Sequence, residues 1–135
     1  MFERAHRNVW HRAGLALFGA AAAGCTPPGP LPRSPERLPD AVVFRYRAPA
    51  ARVVQLAGSW QGNAFLRGRD WSRDTRVGLM QDPDRDGVWE LRVPLGPGRY
   101  EYAFLLDGTF WEADPANPER IPDGQGGTRS LLIVP

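Results

Sequence analysis

The fold class is decided by residues 97–108, which read Pro97-Gly98-Arg99-Tyr100-Glu101-Tyr102-Ala103-Phe104-Leu105-Leu106-Asp107-Gly108. From Tyr100 to Leu106, every second residue is a large apolar or aromatic one. This period of two predicts a β-strand with one buried face. Pro-Gly precedes the strand and Asp-Gly follows it, and both are turn-forming dipeptides. We therefore expect a turn at each end of this strand.

The same alternation recurs in the rest of the chain. Apolar residues alternate in three further stretches, which are residues 42–46, 54–56 and 89–95. A last apolar strand is expected near the C-terminus, at residues 131–134. No segment after residue 24 has the period of an α-helix. Because each strand offers one apolar face, two sheets stacked face to face would bury these faces. We predict an all-β sandwich over residues 41–135, with a polar loop or insertion at 61–78.

The charge balance separates the N-terminal segment from the rest of the chain. The 135 residues include 17 basic and 15 acidic side chains. Three of the basic residues and one acidic residue precede Cys25, so the remainder carries no net charge. The basic excess belongs to the N-terminal segment, and it does not predict nucleic-acid binding.

Residues 25–135 also lack most side chains of enzyme catalysis. They contain no His and no Lys, and their single Cys is Cys25. This excludes a histidine-assisted nucleophile, a Schiff-base lysine and a His/Cys zinc site. Residues 82–87 resemble the start of a calcium loop, but Val93 stands where the bidentate glutamate belongs. We expect no enzyme activity, no cofactor and no metal site, and the composition favours a binding module.

Residues 1–24 have the parts of an export signal. Arginines at positions 4, 7 and 12 form a positive region, and the apolar stretch that follows is too short to span a bilayer. The sequence Ala22-Ala23-Gly24-Cys25 resembles the bacterial lipoprotein signal, in which the Cys is acylated and becomes the new N-terminus. The resemblance implies a lipid anchor at Cys25. The alternative is an ordinary secretory signal cut at an Ala-x-Ala site.

Residues 25–40 are rich in proline, with six prolines after Thr26. Proline removes backbone donors and fixes φ, so we expect an extended, unpacked tether that holds the domain away from a membrane. Thr26, rather than Asp, follows Cys25. By resemblance to the enterobacterial sorting signal, this implies the outer membrane if the host has two membranes.

Four sequence blocks, in this order, resemble one family. They contain VVFRY with VVQLAGSW, then DGVWE, then PGRYEYAFLLDG, then WEADP, within residues 42–60, 86–90, 97–108 and 111–115. Together they are similar to the glycogen-binding domain of AMP-activated protein kinase β subunits. That domain belongs to the family 48 carbohydrate-binding modules, also found at the N-terminus of isoamylases and branching enzymes. The resemblance covers residues 41–135 and implies an immunoglobulin-like early-set sandwich that binds α-glucans.

The resemblance also implies a binding site. In this family two Trp rings stack on glucose units, while a Lys and other polar side chains bind the hydroxyls. Trp111 matches one platform, Asn63 stands near the place of the other, and Trp71 follows after extra residues. Ala103 replaces the Lys, while Gly127 and Arg129 stand where the family has Thr and Asn. The expected carbohydrate-binding residues are Trp111, Trp71, Asn63, Glu112 and Arg129.

Two functions remain open on the sequence. The first is the binding of a polysaccharide, such as an α-glucan, by a lipid-anchored module. The second is a protein-interaction module of the envelope that kept the sandwich and lost the sugar site. The replaced Lys, Thr and Asn positions and the Arg-rich loop 61–78 motivate the second. In that loop Arg67, Arg69, Arg73 and Arg76 alternate with Asp70 and Asp74, a mixed surface that suits either a protein partner or solubility alone. Packing against loops is the alternative role for Trp71 and Trp111, whereas Trp60 and Trp89 are expected in the core.

Overall fold

A computed structural model of the chain describes residues 29–30, 32–63 and 76–135. Several predictions lie outside these ranges: the export signal of residues 1–24, the acylation of Cys25, the sugar contact of Trp71 and most of the loop at 61–78. Within the described ranges, no helix is long and apolar enough to cross a membrane.

The described residues form eight β-strands, which are β1 (Glu36–Arg37), β2 (Val42–Arg47), β3 (Val54–Gly58), β4 (Val88–Val93), β5 (Gly98–Leu106), β6 (Phe110–Glu112), β7 (Arg120–Pro122) and β8 (Thr128–Val134). One sheet has the order β1-β2-β4, and the other has the order β3-β5-β8-β7 with β6 also paired to β5. Every pairing is antiparallel. The two stacked sheets confirm the predicted all-β sandwich of immunoglobulin-like type.

The core between the sheets is built from the alternating residues of the strands. Val42, Phe44 and Tyr46 of β2 meet Tyr102 and Phe104 of β5. The rings of Phe44 and Tyr102 pack edge to face with centroids 4.9 Å apart, and those of Tyr46 and Phe104 are 4.6 Å apart. Burying one such side chain stabilises the fold by about 1.5–3 kcal/mol. The alternating apolar side chains are therefore a main source of the stability of the fold.

Trp60 and Trp89 pack against this core, as predicted. Trp60 stacks on Phe44 with ring centroids 5.6 Å apart, and Trp89 donates a 3.0 Å hydrogen bond from Nε1 to the carbonyl of Ala48. The Trp60 ring also covers Gly58 so closely that a Cβ at position 58 would overlap it. Gly58 is therefore needed for this close approach and also ends the run of β3.

Strand β5 has a divided edge that determines the geometry of the site. On one side it pairs with β3 over the whole length of that strand. On the other side its first half pairs with β8, from Gly98 to Tyr102, and its second half pairs with β6, from Phe104 to Leu106. Strands β8 and β6 therefore lie end to end along the same edge of β5.

The turn between β5 and β6 is clamped by Asp107. Asp107 and Gly108 have positive φ angles of 49° and 69°, which Asp tolerates and Gly adopts without strain. Oδ1 of Asp107 accepts hydrogen bonds from the N–H groups of Arg52 at 2.8 Å and Val53 at 3.0 Å. These donors lower the pKa of Asp107 because they favour its ionised form. The predicted Asp-Gly turn is thus tied to the start of β3.

The sandwich begins earlier in the chain than the sequence predicts. Oγ of the buried Ser34 donates to Oδ2 of Asp114 at 3.2 Å and accepts from the N–H of Arg45 at 2.9 Å. Glu36 pairs with Val43 in the β1–β2 ladder. Residues 34–37 were expected within an unpacked tether, but the serine hydroxyl and the short edge strand bind them to the domain.

Candidate functional site

Trp111 lies in the middle of β6, and 49% of its surface is exposed. It pairs with Leu105 of β5. Because side chains alternate along a strand, the indole lies on the outer face of the five-stranded sheet, away from the core. Its neighbours Phe110 and Glu112 lie on the opposite face. The predicted Trp111 is therefore an accessible aromatic ring on a sheet face.

Arg129 of β8 shares this outer face. Ser130 pairs with Tyr102, and Trp111 pairs with Leu105, so Arg129 and Trp111 flank the same stretch of β5. Two residues of strand cover about 7 Å, so the two residues lie at neighbouring positions along this edge. The guanidinium of Arg129 donates to Oε2 of Glu101 at 3.2 Å and to the carbonyl of Asp123 at 3.3 Å. The structure brings these two predicted residues together.

The centre of the outer face is buried. Three residues that lie on the same face as Trp111 are at most 4% exposed: Ala57, Ala103 and Leu105. Ala103, at the position of the family lysine, offers neither a charge nor a hydrogen-bond donor in its side chain. Trp111 and Arg129 therefore lie at the margin of this buried centre.

The side chain of Glu112 does not share the face of Trp111, because the side chains of consecutive strand residues lie on opposite faces of the sheet. Its Oε2 accepts a short hydrogen bond from the hydroxyl of Tyr46, a core residue of β2. Burial, followed by the bond to Glu112, raises the pKa of Tyr46. The tyrosine therefore stays protonated and holds the carboxylate on the opposite side of β6 from the indole.

Asn63 was predicted to contact sugar, but in the structure its side chain is buried and binds the backbone of β3. The residue is 7% exposed. Its Oδ1 accepts from the N–H of Gly58 at 2.9 Å, and its Nδ2 donates to the carbonyl of Leu56 at 2.8 Å. The amide thus satisfies two backbone groups of β3 and supports the turn after Trp60. Its burial removes it from the surface formed by Trp111.

A buried polar cluster that the sequence did not reveal lies beneath β6. The carboxylate of Asp114 accepts from the Tyr102 hydroxyl at 2.8 Å and from the Ala116 N–H at 2.9 Å, in addition to Ser34. Nδ2 of Asn117 donates to the Tyr102 hydroxyl at 3.0 Å. Asp-Pro at 114–115 was visible in the sequence, but its burial depends on strands that are distant in the chain.

Burial raises the pKa of the Asp114 carboxyl, although its hydrogen bonds oppose the shift. Its negative charge also helps to raise the pKa of Tyr102, for which burial is the larger cause. The cluster joins the N-terminal segment, β5 and the turn after β6. It holds the strand that carries Trp111 and has no exposed catalytic group.

Asp82, Asp84 and Asp86 bring carboxylate oxygens within 4.8 Å of one another, the kind of donor set that could hold a hard cation. These oxygens accept hydrogen bonds from the backbone of their own turn. Asp82 accepts from the N–H groups of Asp86 and Gly87, and Asp86 accepts from that of Val88. The contacts give the three aspartates a role in shaping the turn before β4.

The fold and this surface define a small β-sandwich that presents an aromatic ring and a guanidinium on one sheet face. No family model matches the chain. The chain is 33% identical over 85 residues to Protein PTST homolog 2, chloroplastic, of Arabidopsis thaliana. It is 32% identical over 122 residues to the 1,4-alpha-glucan branching enzyme GlgB of Frankia casuarinae. It is 35% identical over 86 residues to Protein FLOURY ENDOSPERM 6, chloroplastic, of Oryza sativa subsp. japonica.

These matches cover most of this chain and little of the relatives. The aligned parts are 63%, 85% and 64% of this chain, in the same order. They are 13%, 12% and 13% of the three relatives, so the chain spans about an eighth of their length. The similarity is therefore that of one domain within much longer proteins.

Proposed function

We propose that this protein is a non-catalytic module that binds a neutral polysaccharide of the α-glucan type. The observation that carries the proposal is the half-exposed indole of Trp111 on a sheet face. Sugar rings have apolar C–H faces, and a fixed aromatic ring can bury such a face with little loss of conformational freedom. The name of the branching-enzyme relative, which specifies a 1,4-alpha-glucan, supports this class of ligand.

Arg129 supplies the polar part of the proposed site. A guanidinium is a donor-only group, which suits the oxygen atoms of sugar hydroxyls. The contacts with Glu101 and Asp123 orient it before any ligand binds. Arg129 lies next to the part of β5 that contains Ala103. Ala103 stands where the family that the sequence resembles has its lysine. We infer that Arg129 takes over the role of that lysine.

The site can be tested by affinity electrophoresis of the purified full chain through gels that contain glycogen, starch or a non-glucan polysaccharide. We expect retardation in the α-glucan gels and loss of most of it in Trp111→Ala. Trp111→Phe keeps an aromatic ring and should retain part of the binding. Ile133→Ala is the matched control, since it removes another exposed apolar side chain from the same sheet. Wild-type protein that migrates equally in all gels would refute the proposed function.

We also propose that the module is exported and anchored by a lipid on Cys25, with the outer membrane as its location in a host with two membranes. The proposal is supported by the signal-like residues 1–24 and by the single Cys that follows them. Anchoring would keep a small binding module at a membrane surface, where it could retain polysaccharide or present it to another protein.

A further inference from the structure

Phe110 is the most exposed large apolar side chain in the described part of the chain. Its surface is 68% exposed, more than that of Trp111 or Ile133. The residue follows the Asp107–Thr109 turn and pairs with Leu106 at the end of β5. The ring therefore presents an apolar surface that a ligand can cover, and burial of apolar surface on binding is favourable.

Phe110 and Glu112 lie on the same face of β6. They are two residues apart in the strand, which puts their Cα atoms about 7 Å from each other. The carboxylate of Glu112 is held there by the Tyr46 hydroxyl through Oε2. The pair therefore combines an apolar ring with a fixed carboxylate, on the face opposite to Trp111.

The backbone that carries this pair is rigidly connected. Asp107 binds the N–H groups of Arg52 and Val53, and the N–H of Thr109 donates to the carbonyl of Leu106 at 3.0 Å. A ligand that covers Phe110 would therefore lose little affinity to ordering of the hairpin.

We propose that Phe110 and Glu112 form a second sugar-binding subsite, on the face of the β5–β6 hairpin opposite to Trp111, for a neutral polysaccharide segment. An ionised carboxylate is acceptor-only and pairs with hydroxyl donors, which a sugar offers beside its apolar C–H face. Its negative charge opposes uronate, sulfate and lipid phosphate groups. Both faces of one hairpin would then hold polysaccharide, so two weak contacts would act together. This inference rests on the proposed function.

The test uses the purified full chain in gels of a neutral α-glucan and of a uronic-acid polysaccharide. The variants are Phe110→Ala, Glu112→Gln, Trp111→Ala and the double variant Phe110→Ala/Trp111→Ala, with Ile133→Ala as the control. Glu112→Gln removes the charge but keeps an acceptor for Tyr46. Thermal unfolding of each variant shows whether it is folded. We expect Phe110→Ala to raise the dissociation constant for the neutral glucan roughly three- to tenfold, the equivalent of one aromatic contact.

The remaining variants separate the two subsites. Glu112→Gln should weaken binding of the neutral glucan and increase binding of the uronic-acid polymer. Trp111→Ala should keep a residual retardation that the double variant loses. If Phe110→Ala binds like Ile133→Ala, or if Trp111→Ala alone removes all binding, the second subsite is wrong and the proposed function stands. If wild-type protein binds no glucan, both are wrong.

Discussion

Two aspartates near the β5–β6 hairpin respond to their surroundings in opposite ways. Asp107 is exposed and accepts two backbone N–H bonds, which lower its pKa. Asp114 is fully buried, and the loss of solvation raises its pKa despite three hydrogen bonds to its carboxylate. The sequence shows both as aspartates in turn-like contexts. Only their different burial determines which one favours the ionised form.

This difference predicts opposite pH dependences of stability. Because the folded pKa of Asp114 is raised, its contribution to stability is fully present below the usual value of 3.8 and is lost as the pH rises through the folded value. Asp114→Asn lacks this titration. The free energy of unfolding of the wild type, relative to Asp114→Asn, should therefore fall as the pH rises. Urea unfolding between about pH 3 and pH 7 measures this trend.

Asp107→Asn is the control of opposite sign. The contribution of Asp107 is present above its usual pKa of 3.8 and is lost as the pH falls through its lowered folded value. The stability of the wild type relative to Asp107→Asn should therefore fall toward acid pH. If the Asp114 difference stayed constant or changed in the same direction as the Asp107 difference, the assigned burial of Asp114 would be incorrect.

Two short strands, β1 and β6, position side chains of the buried cluster and of the candidate site. β1 contains two residues, yet its segment supplies Ser34 to the Asp114 cluster and Glu36 to an ion pair with Arg45 at 2.6 Å. β6 contains three residues and directs Trp111 and Glu112 to opposite faces. Neither strand is long enough to show a period in the sequence. Their pairing with β2 and β5 forms them.

Removal of β1 should weaken the whole sandwich. A chain that starts at residue 41 loses Ser34 and leaves Asp114 and the N–H of Arg45 without this partner. Such losses at buried sites cost about 1–3 kcal/mol each. We expect the chain that starts at residue 41 to unfold at lower urea concentration than one that starts at residue 32. Ser34→Ala should reproduce part of the loss. Equal midpoints for the two chains would show that β1 contributes nothing to stability.

For the whole molecule, the position of Ser34 limits the reach of the proposed anchor. Ser34 is the ninth residue after Cys25, and nine fully extended residue steps span roughly 30 Å. A tether that ended at residue 40 would reach considerably farther. The sandwich would therefore work close to the surface that holds the lipid.

The proposed anchor predicts that cells supplied with labelled fatty acid incorporate label into the wild type and that the protein sediments with membranes. The single Cys makes the site unambiguous, since Cys25→Ser should lose both the label and the sedimentation. Thr26→Ser leaves the Cys in place and serves as the control. An unlabelled wild type whose mature N-terminus follows an Ala-x-Ala site would show that the segment is an ordinary secretory signal.

The sequence by itself determined the fold class and most of the core, because alternation in β2, β4 and β5 fixes which residues face inward. It also indicated Trp111 and Arg129, by resemblance, as candidates for one site. Only the tertiary structure decided which side chains share a surface. It separated Glu112 from Trp111 across β6, buried Asn63 and Asp114, and joined residues 34–37 to the domain. Those outcomes depend on pairings between residues far apart in the chain, which no local pattern contains.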